Sequence, residues 1–272
     1  MALKDTSIAV IGCGAMGEAM VKGLLRGEMV KPDQITASHP RPERCAELEE
    51  RYGINTVTDN AAAVRDASMV VIAVKPQYFD EVADELREAV SAASLVVTIV
   101  AGIKIRHVEE RLGTPAVVRV MPNTPGQIGK GISVWNASPA VGPAALEQAR
   151  TLLGALGVEE YVKHESELDM ATALSGTGPT YVFLIMEAMI DAGVHMGFSR
   201  HRATKLVIET MRGSVEYAAS NSFHPAQLRN QVTSPGGTSA AAIYELERGR
   251  LRTVLTDAIW AAYRRCVELG QE

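Results

Sequence analysis

The residue types that could do chemistry in this chain gather in two glycine-rich stretches near its opposite ends. Toward the C-terminus, Thr233-Ser234-Pro235-Gly236-Gly237-Thr238-Ser239 runs into Ala240-Ala241-Ala242-Ile243-Tyr244-Glu245-Leu246. Proline and hydroxyls around paired glycines predict a turn, and the helix-forming run behind it makes that turn a helix N-terminus. Such a terminus presents unpaired N–H groups at the positive end of the helix dipole, which suit a carboxylate or a phosphate. The missing side chains of Gly236 and Gly237 let an anion reach the backbone itself. Alone, the pattern also describes an ordinary capped turn; the other end of the chain decides between the two.

There, Ser7-Ile8-Ala9-Val10-Ile11 is a short, β-branched apolar run of the kind buried in a parallel sheet. It leads into Gly12-Cys13-Gly14-Ala15-Met16-Gly17, behind which Met16, Met20, Gly23 and Leu24 recur at helical spacing. Strand, G-x-G-x-x-G, helix is the context of dinucleotide binding. Gly12 allows the tight turn, Gly14 admits a pyrophosphate, and Gly17 lets the helix pack on the strand. The next strand, Gln34–Ser38, ends in Ser38-His39-Pro40-Arg41-Pro42 with no acid before Glu43. A site for NAD usually has Asp or Glu there, whereas hydroxyl, imidazole and guanidinium suit a 2′-phosphate. NADPH is the expected cofactor, with NADH as the lesser one.

The elements that must hold these groups follow in order. Strands are predicted near Thr56 and over Ser68–Val74, Leu95–Val100, Ala116–Val120, Gly131–Trp135 and Gly157–Val162. Helices alternate with them at about 42–52, from Asn60, at 78–90, 106–112 and 143–156. This is an α/β pattern: a doubly wound, Rossmann-type, mainly parallel sheet over residues 1–164. Gly12, Ser38, Lys75, Gly102 and Asn123 all fall at strand carboxyl ends, where ligands of such sheets bind. After His164 the pattern is all-α over 165–272, with helices at 167–193 (interrupted at Ser175–Pro179), 200–220, 225–231, 237–247 and 251–269. The stretch 179–192 is apolar nearly all round, which predicts burial on several sides, against a second subunit.

Composition bounds the function. In 272 residues, 47% are hydrophobic and 22% charged, an ordinary globular balance for two domains. A net charge of -5 and 5% aromatics argue against nucleic acid. Cys13, Cys45 and Cys266 lack metal-ligand spacing and read as free thiols in a reducing cytosol, with no metal expected. No leader precedes the first strand, and the longest apolar run, Tyr181–Met186, is too short to span a bilayer, so the expectation is a cytoplasmic protein with no membrane partner.

Five strings stand together: Ile11–Gly17, Ala73-Val74-Lys75-Pro76-Gln77, Arg119-Val120-Met121-Pro122-Asn123-Thr124-Pro125, Leu174–Pro179 and Val232–Gly237. In this order and spacing the whole chain resembles the pyrroline-5-carboxylate reductases. The Met-Pro-Asn-Thr-Pro and Ser-Pro-Gly-Gly strings are the specific ones. The resemblance implies NAD(P)H-dependent reduction of a cyclic imino acid to proline, and a helical domain that dimerises by interleaving. It also implies active sites built from both subunits, and larger rings of dimers. The substrate site it implies is Val232, Gly236, Gly237, Thr238 and Ser239. In it the N–H groups of Gly236, Gly237 and Thr238 hold the carboxylate, and Ser239 or Thr238 bonds the ring nitrogen as the catalytic hydroxyl. The family usually has threonine at the position of Ser239. The cofactor positions expected are Gly12, Cys13, Gly14, Ala15, Met16, Gly17, Ser38, His39, Arg41, Asn60, Ala73, Val74, Lys75, Pro76, Ala101, Gly102 and Asn123.

Two other functions share parts of the pattern. A β-hydroxyacid dehydrogenase would need a lysine as general acid, for which Lys163 and Lys205 are the candidates. A non-catalytic NADP-binding regulator would need no anion-binding turn.

Overall fold

The computed structural model describes residues 2–92 and 94–270. Strands and helices alternate from the start: β1 (Ile8–Ile11), α1 (Ala15–Arg26), β2 (Ile35–Ser38), α2 (Pro42–Tyr52), β3 (Asn55–Val57), α3 (Asn60–Val64), β4 (Met69–Ile72), α4 (Phe79–Leu86), β5 (Leu95–Thr98), α5 (Ile105–Leu112), β6 (Val117–Met121), β7 (Gly131–Ala137), α6 (Pro143–Gly154) and β8 (Gly157–Tyr161). The strands form one sheet in the order β3-β2-β1-β4-β5-β6-β7-β8. All neighbours are parallel except β6 and β7. Only a short 3-10 turn, Thr124–Ile128, joins those two, too little chain for the crossover that a parallel pair requires. The order reverses between β1 and β4, which puts the binding crevice of such a sheet at their carboxyl ends.

The central strands β1, β4 and β5 read as nearly unbroken apolar runs because both faces are covered. Ile8 and Val10 join one core with Met20, Leu24 and Leu48, while Ala9 and Ile11 join another with Phe79, Val82 and Leu86. Among the described residues one charged side chain is buried. Arg119, in the middle of β6 and 2% exposed, donates to Glu165 (3.0 Å) and Asp169 (2.8 Å). Glu165 also accepts the Ile105 N–H at 2.8 Å. A buried guanidinium is tolerated when carboxylates satisfy it, so this cluster ties the segment after β8 to the sheet.

The chain divides into two compact units, Met1–Gly178 with Ala262–Glu272, and Pro179–Ala261. In the first, α7 (Glu167–Ala171) places Leu168 against Met121 and Val134. The expected interruption near Ser175–Pro179 takes the form of a π-helical turn, Thr172–Gly176, and a bend at Thr177, with α-helix resuming at Gly178. Thr177 donates both its N–H (2.8 Å) and its hydroxyl (2.9 Å) to the Thr172 carbonyl. Pro179 has no N–H for the carbonyl four residues back, and that carbonyl, of Ser175, accepts from Asn123 Nδ2 at 3.2 Å.

The helices α8 (Gly178–His195), α9 (Arg200–Ala219), α10 (Pro225–Gln231), α11 (Thr238–Arg248) and α12 (Leu251–Leu269) complete the chain. The predicted burial of 179–192 is not found within one chain: of α8 only Gly193 is buried, and Phe183 and Leu184 are 60% and 65% exposed. Phe183, Leu184, Met186 and Ile190 line an open groove of about 580 Å³. The helical stretch Glu167–His195 is long and apolar enough to cross a membrane by length and composition, which the shorter run Tyr181–Met186 did not foretell.

Candidate active site

The turn from β1 to α1 has the form the sequence predicts. Gly12 adopts φ +75°, and a Cβ there would lie 2.5 Å from Val74 Cγ1, so only glycine fits. A Cβ on Gly14 would meet only the Gly12 carbonyl oxygen at 3.9 Å, which leaves open space for a pyrophosphate. Gly17 would crowd Val10 Cγ1 at 3.1 Å, as a helix pressed onto its strand requires. The Glu18 N–H is the first to bond back, to Gly14 O. The N–H groups of Ala15, Met16 and Gly17 therefore have no acceptor among the described residues, and they are the donors a dinucleotide phosphate would take. Cys13 departs from the expectation. Its N–H donates to the Ser38 carbonyl at 2.9 Å and its thiol lies in the core, where burial pushes its pKa up to about 12. It shapes the turn and offers no donor.

At the end of β2, Ser38 is fully buried and its hydroxyl donates to Asn60 Oδ1 at 2.6 Å. Asn60 Nδ2 in turn donates to Glu85 at 2.7 Å. Both side chains, expected to face the cofactor, are thus committed to fixing the loop. His39 and Arg41 remain available. His39 Nδ1 accepts the Arg41 N–H at 3.2 Å, which leaves Nε2 as the proton-bearing nitrogen of the neutral ring. Burial and the charges of Arg41 and Arg44 hold its pKa below the ordinary histidine value. The exposed Arg41 guanidinium has no partner among the described residues.

The further strand ends are mixed. Lys75 and Pro76 are exposed at the end of β4, behind the half-buried Ala73 and Val74. Ala101 is half-buried, and buried Gly102 has φ +81° and packs against Leu269. Asn123 is spoken for at both ends, Nδ2 on Ser175 O and Oδ1 on the Ile132 N–H at 3.0 Å. It pins β6 to β7 and to the π turn, with the second N–H of Nδ2 left over.

A network that the sequence did not disclose lies beside the glycine turn. Glu18, in the first turn of α1, accepts from Arg44, from Arg51 Nη1 at 2.6 Å and from Tyr52 Oη at 2.7 Å. Burial pushes the Glu18 carboxyl up, but the bonds from Arg44, Tyr52 and Arg51 outweigh it and hold it below the usual range. A depressed carboxyl contributes stability that is present above its unfolded pKa and lost as pH falls through the folded one. Glu18→Gln should therefore melt earlier than the native chain at pH 7, and the difference should close below about pH 4. Melting curves across that range check it, and a difference that persists unchanged in acid would contradict it.

In the helical unit, the predicted turn is a type II turn. Pro235 and Gly236 (φ +70°) are its central residues, closed by Gly237 N–H donating to Ser234 O at 3.0 Å. This corrects one expectation: the Gly237 N–H is used inside the turn. A Cβ at Gly237 would also strike Ser234 Oγ at 2.4 Å, so that glycine is required by the turn itself. The first N–H to bond back into α11 is that of Ala241, to Gly237 O. Those of Gly236, Thr238, Ser239 and Ala240 have no acceptor among the described residues, so the anion site moves one residue along. The hydroxyls of Thr238 and Ser239 have no partner there either, Thr238 exposed and Ser239 half-buried. Val232, the C-cap of α10, is 70% exposed. Lys163 and Lys205 are both exposed on their surfaces, unlike a general acid held at a reacting carbon.

Residues 165–269 match the family described as pyrroline-5-carboxylate reductase dimerisation. Residues 7–102 match the one described as NADP oxidoreductase, coenzyme F420-dependent. The chain is 41% identical over 266 residues to a pyrroline-5-carboxylate reductase of Pseudomonas aeruginosa, with 97% of each covered. It is 42% identical over 271 residues to that of Corynebacterium melassecola, covering 98% and 99%. Among solved structures it is similar to a Plasmodium falciparum pyrroline carboxylate reductase with NADP bound (TM-score 0.90, 29% identity, 98% and 99% covered). The enzyme from Coxiella burnetii gives a TM-score of 0.88 at 33% identity, with 97% and 98% covered.

Proposed function

The chain belongs to the pyrroline-5-carboxylate reductase family, and from that membership we infer that it reduces the C=N bond of 1-pyrroline-5-carboxylate with NAD(P)H, giving L-proline. The observation that supports this most directly is the pairing, in one chain, of a dinucleotide turn at Gly12–Gly17 with an anion-binding turn at Pro235–Ala240. Reduced nicotinamide, when bound, supplies the hydride. The residues of this chain orient and shield the reactants. The N–H groups of Ala15, Met16 and Gly17 receive the pyrophosphate. The substrate carboxylate is held on those of Gly236, Thr238, Ser239 and Ala240, and the Ser239 hydroxyl bonds the ring nitrogen.

A cyclic iminium carries its proton already: hydride adds to the carbon, and the electron pair of the C=N bond returns to nitrogen. Strong acid from the protein is then unnecessary, in keeping with a site lacking a buried lysine. Absorbance of the reduced nicotinamide tests the reading. Consumption with pyrroline-5-carboxylate is expected, and reduction of NADP by a 3-hydroxy acid in its place would overturn it.

Because β2 ends in His39 and Arg41 without an acid, NADPH is the expected preference. Its apparent constant should be lower than that of NADH by about tenfold or more, the worth of one charge-assisted phosphate contact. Equal constants would remove this loop from the phosphate site. The dimerisation match and the uncovered apolar surface of α8 support a homodimer through the helical unit. A ring of such dimers, a cytoplasmic location and no membrane partner are proposed with it.

A further inference from the structure

We propose that Arg44 reads the phosphate at the adenosine end of the cofactor, and that Glu18 is the positioning residue that holds it there. This rests on the cofactor reading above. Arg44 lies in the first turn of α2, just past Arg41 of the β2–α2 loop, and its guanidinium bonds to Glu18, the residue that follows Gly17 of the glycine turn. Glu18 of α1 and Glu47 (3.0 Å) grip it from two sides, and its side chain is only 14% exposed. Its charge is felt at Cys13, in the glycine turn, and at His39, at the end of β2. The group therefore stands between the two loops that flank the adenosine ribose in a sheet of this order.

Two of its N–H groups are used by Glu18 and Glu47, and the others, Nε–H among them, have no acceptor among the described residues. Arg41, by contrast, is exposed and unheld. Fixing a free arginine on a ligand costs side-chain entropy, whereas a guanidinium already gripped by carboxylates has lost it beforehand. Glu18 is itself satisfied by Arg51 and Tyr52, so its charge is spread over α2 rather than turned toward an incoming anion.

Calorimetric titration of the full chain with 2′,5′-ADP and with 5′-AMP tests this without any turnover. Arg44→Ala should weaken 2′,5′-ADP by about ten- to a hundredfold and 5′-AMP by less than about threefold, the difference of one charge-assisted phosphate contact. Arg41→Ala should cost less than Arg44→Ala. Glu18→Ala, which frees the guanidinium, should lose several-fold on 2′,5′-ADP only, and Glu18→Gln, which still accepts a bond from Arg44, should recover most of it. If Arg44→Ala does not fold, Arg44→Lys keeps the charge without the fork and should show a smaller loss, again confined to 2′,5′-ADP. Equal losses on both ligands, or none, would overturn the role of Arg44. Tighter binding by Glu18→Ala would make Glu18 a repulsive charge and overturn its positioning role. A native chain that does not distinguish the two ligands would instead overturn the NADPH preference itself.

Discussion

Ser239→Ala is expected to lower kcat/KM by about one to two decades with cofactor affinity unchanged. On the role proposed for Ser239, the substitution would remove a hydrogen bond to a charged or partly charged nitrogen, worth about 1.5–3 kcal/mol. The position supports this size of effect. Ser239 lies in the first turn of α11, its hydroxyl unpaired among the described residues, beside the free N–H groups that would seat the carboxylate. The backbone donors survive the change, so substrate should still bind and the loss should fall on kcat more than on KM. Ser239→Thr restores the residue usual in the family and should be tolerated. Thr238→Ala should cost much less, and the reverse order would exchange the two roles. Gly237→Val, though more damaging, would be uninformative: its side chain would collide with Ser234 before it could exclude a carboxylate.

Phe183→Glu should abolish the dimer and the activity together. Phe183 stands 60% exposed in the single chain, beside Leu184 and the groove of α8. Burying one such side chain is worth about 1.5–3 kcal/mol, and a carboxylate in its place adds an unpaired charge to the same surface. Twofold symmetry applies the penalty twice per dimer. Sedimentation and assay of the same sample check it, and a fully active monomer would contradict the dimer reading. Far-UV circular dichroism should show the helices kept.

Much of the sheet was legible because β1, β4, β5 and β6 are covered on both faces. Their β-branched runs have no alternation to confuse with a helix. The boundaries were less so: β4 stops at Ile72 rather than Val74, and the helix expected over 78–90 is a 3-10 turn, Pro76–Tyr78, followed by α4 ending at Leu86. At the site, residue type was legible and partnership was not. Ser38 and Asn123 fall at strand ends and Asn60 opens α3, but each side chain bonds a neighbour that only the fold supplies. The Glu18 network was hidden for the same reason. Arg44 and Tyr52 lie 26 and 34 residues along the chain from Glu18, and the packing of α2 on α1 alone brings them together. For α8 the apolar composition was plain, but sequence cannot tell burial by the same chain from burial by another copy.

The enclosed position of Arg119 divides how the protein should respond to ionic strength. Its guanidinium is 2% exposed, with Glu165 and Asp169 28% and 15% exposed around it, so rising salt should weaken these bonds less than it weakens an open surface pair. In the proposed cofactor site Arg41 faces the solvent and Arg44 is 14% exposed, and added salt would compete with them for phosphate. Cofactor affinity should therefore fall with salt well before melting temperature does. In concentrated brine the enzyme would be intact and unladen, and desalting alone would bring it back.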